Sequence, residues 1–167
     1  MHQIIQLTFS YLNKPLMNQY LEKLQQSRDA LHEMTDGLSV EQYNYIPEGY
    51  QNNIIWNMGH IITVSERILS KNSDFIAPVH NFDTELFGKN KKPEKPLSRE
   101  DIDLVRNALL QTVSAFQESK GIEESKTMEI SAGNQKITVG VLQFVLFHEN
   151  VHYKTIEKML QLVKMNK

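Results

Sequence analysis

The fold is decided by a stretch near the C-terminus of the chain, Phe147-His148-Glu149-Asn150-Val151-His152-Tyr153-Lys154. His148 and His152 are four residues apart, so a helix places both imidazoles on one face. At about 100° per residue, that face continues with Val141, Phe144, Val145, Val151, Thr155, Met159 and Leu162. A buried imidazole without a partner is costly, so we expect a metal ion to satisfy both rings. The spacing alone is weak evidence for such a site.

The composition is that of an ordinary globular domain with nearly balanced charge. The chain has 167 residues, of which 40% are hydrophobic and 23% charged, and a formal net charge of −2. This balance argues against a nucleic-acid partner or a membrane surface. Because the chain has no cysteine, a metal site must use His, Asp, Glu or water. No signal sequence or membrane-spanning stretch is evident, so we expect a cytoplasmic protein.

Apolar residues recur at three- and four-residue steps in four segments, which predicts an all-α fold, a four-helix bundle. The predicted helices cover roughly residues 16–36, 53–71, 99–119 and 139–164, with a short helical turn at 39–42. Residues 1–15 are then an N-terminal extension, and residues 16–167 form the bundle domain.

Two features of the predicted bundle depart from plain helices. The connection between the second and third helices, residues 72–97, is long enough to be a lid or binding loop, and a plain solvated crossover is equally compatible with it. Before the last helix, alternating segments at 127–130 and 136–138 predict a short β-hairpin. Gly59 lies inside the second helix at a cost of about 1 kcal/mol relative to alanine, which predicts that a neighbouring backbone or a ligand comes close.

His60 is the best candidate for a third metal ligand, because it lies on the second helix beside Trp56. Three imidazoles leave coordination positions for water or substrate, as in catalytic metal sites. The alternative is an ordinary half-buried histidine bonded to a backbone carbonyl. His80, in the long connection, is a weaker candidate, and His2 and His32 are expected at the surface.

Two stretches together resemble the DinB-like superfamily: Asn53-Ile54-Ile55-Trp56-Asn57-Met58-Gly59-His60-Ile61 and His148-Glu149-Asn150-Val151-His152. Members of this superfamily are four-helix bundles, often homodimers, with one histidine on the second helix and a histidine pair on the fourth. The resemblance covers residues 16–163. It implies that His60, His148 and His152 bind a divalent metal ion, with zinc or nickel the leading candidates and iron or manganese next.

The resemblance also implies a class of chemistry. The superfamily includes bacillithiol S-transferases and mycothiol-dependent maleylpyruvate isomerases. A divalent ion in a three-histidine site would favour the thiolate form of a low-molecular-weight thiol cosubstrate. Trp56 would then form part of the wall of a pocket for a small-molecule substrate. The alternatives are a metal-binding, stress-related module without turnover and a plain helical scaffold.

The last helix carries a second apolar flank: Leu142, Leu146, Tyr153 and Leu160. A single bundle can bury both stripes, and a homodimer interface would also explain the extra width. We favour the homodimer, which the resemblance also implies.

His148-Glu149-Asn150-Val151-His152 also matches the H-E-x-x-H motif of zinc metalloproteases, in which Glu149 is the general base. That motif needs another ligand downstream, and Glu157 points about 140° away from His152. A metallohydrolase is therefore a minor alternative. Glu149 itself points about 100° away from His148, so we favour a solvated or interhelical carboxylate. A catalytic base stays open if the helix is rotated towards the site.

Overall fold

The computed structural model describes residues 2–119 and 126–165 of the chain, which form helices and one small antiparallel sheet. In chain order the elements are α1 (His2–Met34), α2 (Val40–Asn44), α3 (Ile54–Asn72), a 3₁₀ helix (Thr84–Phe87), α4 (Arg99–Glu118), β1 (Thr127–Ala132), β2 (Gln135–Gly140) and α5 (Val141–Met165). The long helices α1, α3, α4 and α5 pack against one another. The predicted all-α fold with its long crossover and hairpin is thereby confirmed.

The helices begin where side chains satisfy the free backbone N–H groups of the first turn. Asn53 caps α3, since its side-chain oxygen accepts a hydrogen bond from the backbone N–H of Trp56 at 2.9 Å. Ser98 and Asp101 form a capping box at the start of α4. Each such cap stabilises its helix by about 1 kcal/mol, and the cap at Ser98 sets where the crossover from α3 ends.

The N-terminal boundary of the first helix differs from the prediction. Helix α1 begins at His2, so residues 2–15 continue the helix instead of preceding it. Pro15 lies within this helix, where its backbone nitrogen cannot donate a hydrogen bond. The turns on both sides of it are helical. Whether residues 1–15 act as a separate extension stays a prediction.

The hairpin directly positions the last helix. Strand β1 pairs antiparallel with β2, with Thr127 opposite Gly140 and Ala132 opposite Gln135. Gly133 has a φ of +62° in the turn, a conformation that glycine adopts without steric cost. Helix α5 follows β2 without a linker, so it begins at residue 141, slightly later than predicted.

The buried face of α5 is rotated from the predicted stripe. Val145 and Met159 are buried as predicted, while Val151 and Leu162 are exposed. Leu142 and Leu160, which we assigned to a second apolar flank, are buried within the chain. The centre of the buried face of α5 therefore lies nearer to Glu149, which is also buried. The histidines therefore lie at the margin of the buried face and not in its middle. The width of the apolar face no longer calls for a second copy, and the homodimer stays a prediction.

The core consists of two apolar clusters. The larger includes Ile54, Met58, Ile61 and Ile62 of α3, Leu109 of α4 and Ile156 and Met159 of α5. The smaller includes Leu21 and Leu24 of α1, Phe116 of α4 and Val145 of α5. Burying each such side chain contributes about 1.5–3 kcal/mol. In the described part of the chain, no helix combines the length and apolar character that crossing a membrane requires.

Candidate metal centre

Helices α3 and α5 bring three histidines together at one point. His60 lies on α3, and His148 and His152 lie one turn apart on α5. One nitrogen of each imidazole lies within 4.8 Å of the others, and the Nε2 atoms of His60 and His148 are 3.3 Å apart. His60 is buried, while His148 and His152 are half-buried. The group could hold a metal ion. Its members are the pair that the four-residue spacing predicted and the third histidine that the helix position and the family resemblance predicted.

A backbone carbonyl orients the ring of His60. Nδ1 of His60 lies 2.6 Å from the carbonyl oxygen of Phe87. Because a carbonyl only accepts, Nδ1 carries the proton and the lone pair of His60 is on Nε2, the atom that faces His148. The bond to a carbonyl that we considered as an alternative to ligation is thus present, and it leaves Nε2 free to bind a metal.

Asn57 orients His152 in the same way, and the sequence analysis missed it. Nδ1 of His152 lies 2.7 Å from Oδ1 of Asn57. The amide nitrogen of Asn57 donates to the backbone carbonyl of Asn53 at 2.8 Å, so its oxygen is the atom that faces His152. The proton of His152 is therefore on Nδ1 and the lone pair on Nε2. Metal-binding histidines commonly donate their second nitrogen to such a partner. The signal in the sequence was an asparagine three residues before His60, within a segment predicted to be helical.

Burial keeps all three imidazoles neutral. It lowers the pKa of His148 to about 3, and the repulsion that protonated His152 or His60 would exert contributes to this shift. It also lowers the pKa of His152 to about 4, again with a contribution from His60. The pKa of His60 is lowered by burial, although its hydrogen bond to Phe87 opposes the shift. Each neutral imidazole has an unprotonated nitrogen that can bind a metal ion, and the three rings lie close together. The group is therefore suited to bind a divalent cation.

Trp56 covers one side of His60. The two rings are stacked, with centroids 4.6 Å apart and planes 16° apart. Nε1 of Trp56 donates to the carbonyl of Leu86 at 3.0 Å, which fixes the indole. Trp56 also lines a cavity of about 260 Å³ formed with the crossover. Its part in binding a ligand stays a prediction.

Glu149 is an interhelical carboxylate. It is 2% exposed, and its two oxygens accept hydrogen bonds from Nε and Nη2 of Arg28 at 3.0 and 3.1 Å. Arg28, on α1, is also fully buried and donates to Ser65 and to the carbonyl of Leu109. This ion pair connects α1 with the three other long helices. A base role for Glu149, which stays a prediction, would require the pair to break.

The other candidates do not join the group. Nε2 of His80 lies 2.8 Å from a carboxylate oxygen of Glu66, an interaction that attaches the crossover to α3. His32 is half-buried on α1 and Glu157 is exposed on α5, and neither belongs to the three-histidine group. The side chain of His2 lies outside the described residues.

The crossover packs tightly on α3 beside the histidines. Phe87 is buried against Gly59, where an added Cβ would lie 2.5 Å from Cγ of the phenylalanine. The predicted close approach to Gly59 is therefore made by a side chain and not by a backbone or ligand. Because the 3₁₀ helix supplies the carbonyl that orients His60, this part of the crossover is a component of the site. Movement as a lid stays a prediction.

Comparison with known proteins agrees with this arrangement. A family model described as the DinB superfamily matches residues 23–156, which begin in the C-terminal third of α1 and extend into α5. The matched range contains all three histidines and Asn57. Among curated proteins, none matches the sequence significantly.

Proposed function

Because the chain belongs to the DinB superfamily and brings three neutral imidazoles together, we propose that it binds a divalent metal ion through His60, His148 and His152. We further propose that this metal centre is the active site of a low-molecular-weight-thiol S-transferase. The convergence of the three histidines is the observation that carries the first proposal. The family resemblance carries the second.

The donor set admits several metals, because imidazole nitrogens suit zinc, nickel, iron and copper alike. We propose zinc or nickel first, with iron or manganese as further candidates. The carbonyl of Phe87 and the amide of Asn57 hold two of the rings with Nε2 available, so little reorganisation accompanies binding. Three protein ligands leave room at the ion for water or substrate.

The ion would supply the nucleophile by lowering the pKa of a coordinated thiol or water. Since the chain contains no cysteine, the thiol must come from a cosubstrate. The half-buried His148 and His152 form the accessible side of the group. We also propose the homodimer that is common in the family, which sedimentation velocity tests.

A metal-binding module without turnover is the second candidate. One observation favours it: Glu149, the carboxylate next to His148 in sequence, is paired with Arg28, and in the described residues the three-histidine group includes no carboxylate that could act as a base. The same pairing weighs against an H-E-x-x-H metallohydrolase, which needs Glu149 as a free base.

Elemental analysis of tag-free protein tests the metal site. We expect about one divalent ion per wild-type chain and its loss in both His60→Ala and His148→Ala. His32→Ala is the matched control, since this half-buried histidine lies outside the group, and it should retain the metal. A wild-type chain that binds neither zinc nor nickel after incubation would contradict the proposal.

Conjugation assays separate the enzyme from the binding module. Metal-loaded protein is screened with several low-molecular-weight thiols and an electrophile, beside the His148→Ala variant. Metal-dependent conjugation supports the transferase. A stoichiometric metal without conjugation of any thiol supports the module.

A further inference from the structure

A second site lies beside the histidines, in the cavity of about 260 Å³ between the start of α3 and the crossover. None of the three histidines lines this cavity. Its volume is slightly below the roughly 300–1,000 Å³ of typical ligand pockets, which limits an occupant to one or two rings. The cavity thus lies next to the three histidines without including them, and its volume suits a small molecule.

The wall of the cavity is apolar and held in place. Ile55, Trp56, Leu86 and Phe87 line it. Trp56 is fixed by its hydrogen bond to the carbonyl of Leu86, and Phe87 is buried against α3. Fixed aromatic walls bind flat apolar groups without paying for side-chain ordering.

The rim of the cavity is cationic. Lys92 and Lys95 line it together with a single acidic residue, Glu94. Both lysines are exposed, and neither forms an ion pair with any side chain that the structure describes. Two free ammonium groups against one carboxylate favour an anionic ligand.

We propose that this cavity binds a small aromatic carboxylate, with its ring against Trp56 and Phe87 and its carboxylate at Lys92 and Lys95. Binding does not require a metal, so the proposal stands apart from the function proposed above. The two sites share walls, because Trp56 stacks on His60 and the carbonyl of Phe87 accepts a hydrogen bond from that ring. A ligand that shifts either wall would alter metal affinity, and the metal would alter ligand affinity by the same factor.

Fluorescence of the metal-free protein tests the proposal directly. Trp56 is the only tryptophan of the chain, so emission excited near its long-wavelength edge reports on the cavity wall alone. Titration with 3-phenylpropionate, which hardly absorbs there, should produce a saturable change in emission. The neutral 3-phenylpropionamide should bind about 10-fold more weakly, the factor expected for one lost charge-assisted contact.

Paired lysine variants locate the carboxylate. The Lys92→Gln/Lys95→Gln protein should bind 3-phenylpropionate about 10-fold more weakly than wild type and the amide about equally. The control is Lys89→Gln/Lys91→Gln, which makes the same charge change in the same crossover but outside the cavity lining. It should retain wild-type affinity within about 2-fold.

Three outcomes would overturn the proposal. The first is no saturable change up to about 10 mM of the carboxylate. The second is equal binding of the acid and the amide by wild type. The third is equal weakening by the two lysine pairs, which would mean a diffuse electrostatic attraction and no site.

Discussion

Replacing Glu149 with alanine leaves the guanidinium of Arg28, which is 0% exposed, without its carboxylate partner. Hydrogen bonds from Nε to both carboxylate oxygens, at 3.0 and 3.3 Å, and from Nη2 at 3.1 Å are lost together. Removing one member of a buried pair costs about 3–5 kcal/mol, because the remaining charge is uncompensated. We expect the free energy of unfolding to fall by this amount, a large part of the roughly 5–15 kcal/mol of a typical domain.

Urea denaturation followed by circular dichroism measures the loss. Metal-free protein is used so that differences in metal occupancy do not contribute to stability. Glu149→Gln keeps one acceptor for Arg28, so its free energy of unfolding should fall by less than that of Glu149→Ala. The double variant Arg28→Met/Glu149→Met should recover much of the stability, because it leaves no buried charge.

A Glu149→Ala protein within about 1 kcal/mol of wild type would refute the structural role of the pair. The same variants test the catalytic role. If Glu149→Gln stays folded and binds metal but loses metal-dependent turnover, the carboxylate takes part in the reaction. If it retains turnover, Glu149 acts only in holding α1 against α5.

Three further predictions concern the surroundings of the candidate metal centre. Gly59→Ala would place a Cβ 2.5 Å from Cγ of Phe87, so urea denaturation should show a loss of about 1–3 kcal/mol, and an equally stable variant would contradict the close packing. Asn57→Leu removes the acceptor for Nδ1 of His152, so competition with a chelator should show metal affinity reduced about 10–100-fold, whereas unchanged affinity would mean that orienting the ring is unimportant. In the metal-free protein the pKa values of His148 and His152, about 3 and about 4, lie below the value of 6.5 expected when unfolded. The unfolded state therefore binds more protons as pH falls from 6.5 towards 4, and the free energy of unfolding decreases over that range. Urea midpoints at about pH 7 and about pH 5 should diverge more for wild type than for His148→Gln, and equal divergence would contradict this origin.

Local pattern was sufficient to predict that the long helices and the hairpin are present, although it did not predict that residues 2–15 are part of α1. Three- and four-residue apolar steps and capping side chains are properties of short segments, so they can be read without knowing the partner of each segment. The buried face of each helix was harder to predict than the helix itself. The rotation of α5 depends on which neighbours bury Leu142 and Leu160, and no property of the helix alone specifies that.

The three histidines could be predicted because two share a helix face and the third stands in a recognisable segment. The groups that orient or surround the histidines could not be predicted from the sequence. The contacts of His60 with Phe87 and of Asn57 with His152 join residues remote in sequence, and Arg28 is 121 positions from Glu149. Such pairs follow from packing of the helices, which a single sequence does not display.

The attachment of the crossover to α3 has a consequence for how the chain can diverge. Side chains of Trp56, His60 and Thr63 donate to backbone carbonyls of the 3₁₀ helix. Every amino acid carries such a carbonyl, whereas few carry the donors. In homologues the donor positions on α3 should therefore accept few replacements. Positions such as Thr84 should vary more, because any residue there supplies the same backbone carbonyl. The sequence of the crossover can then change while its hydrogen bonds to α3 are kept.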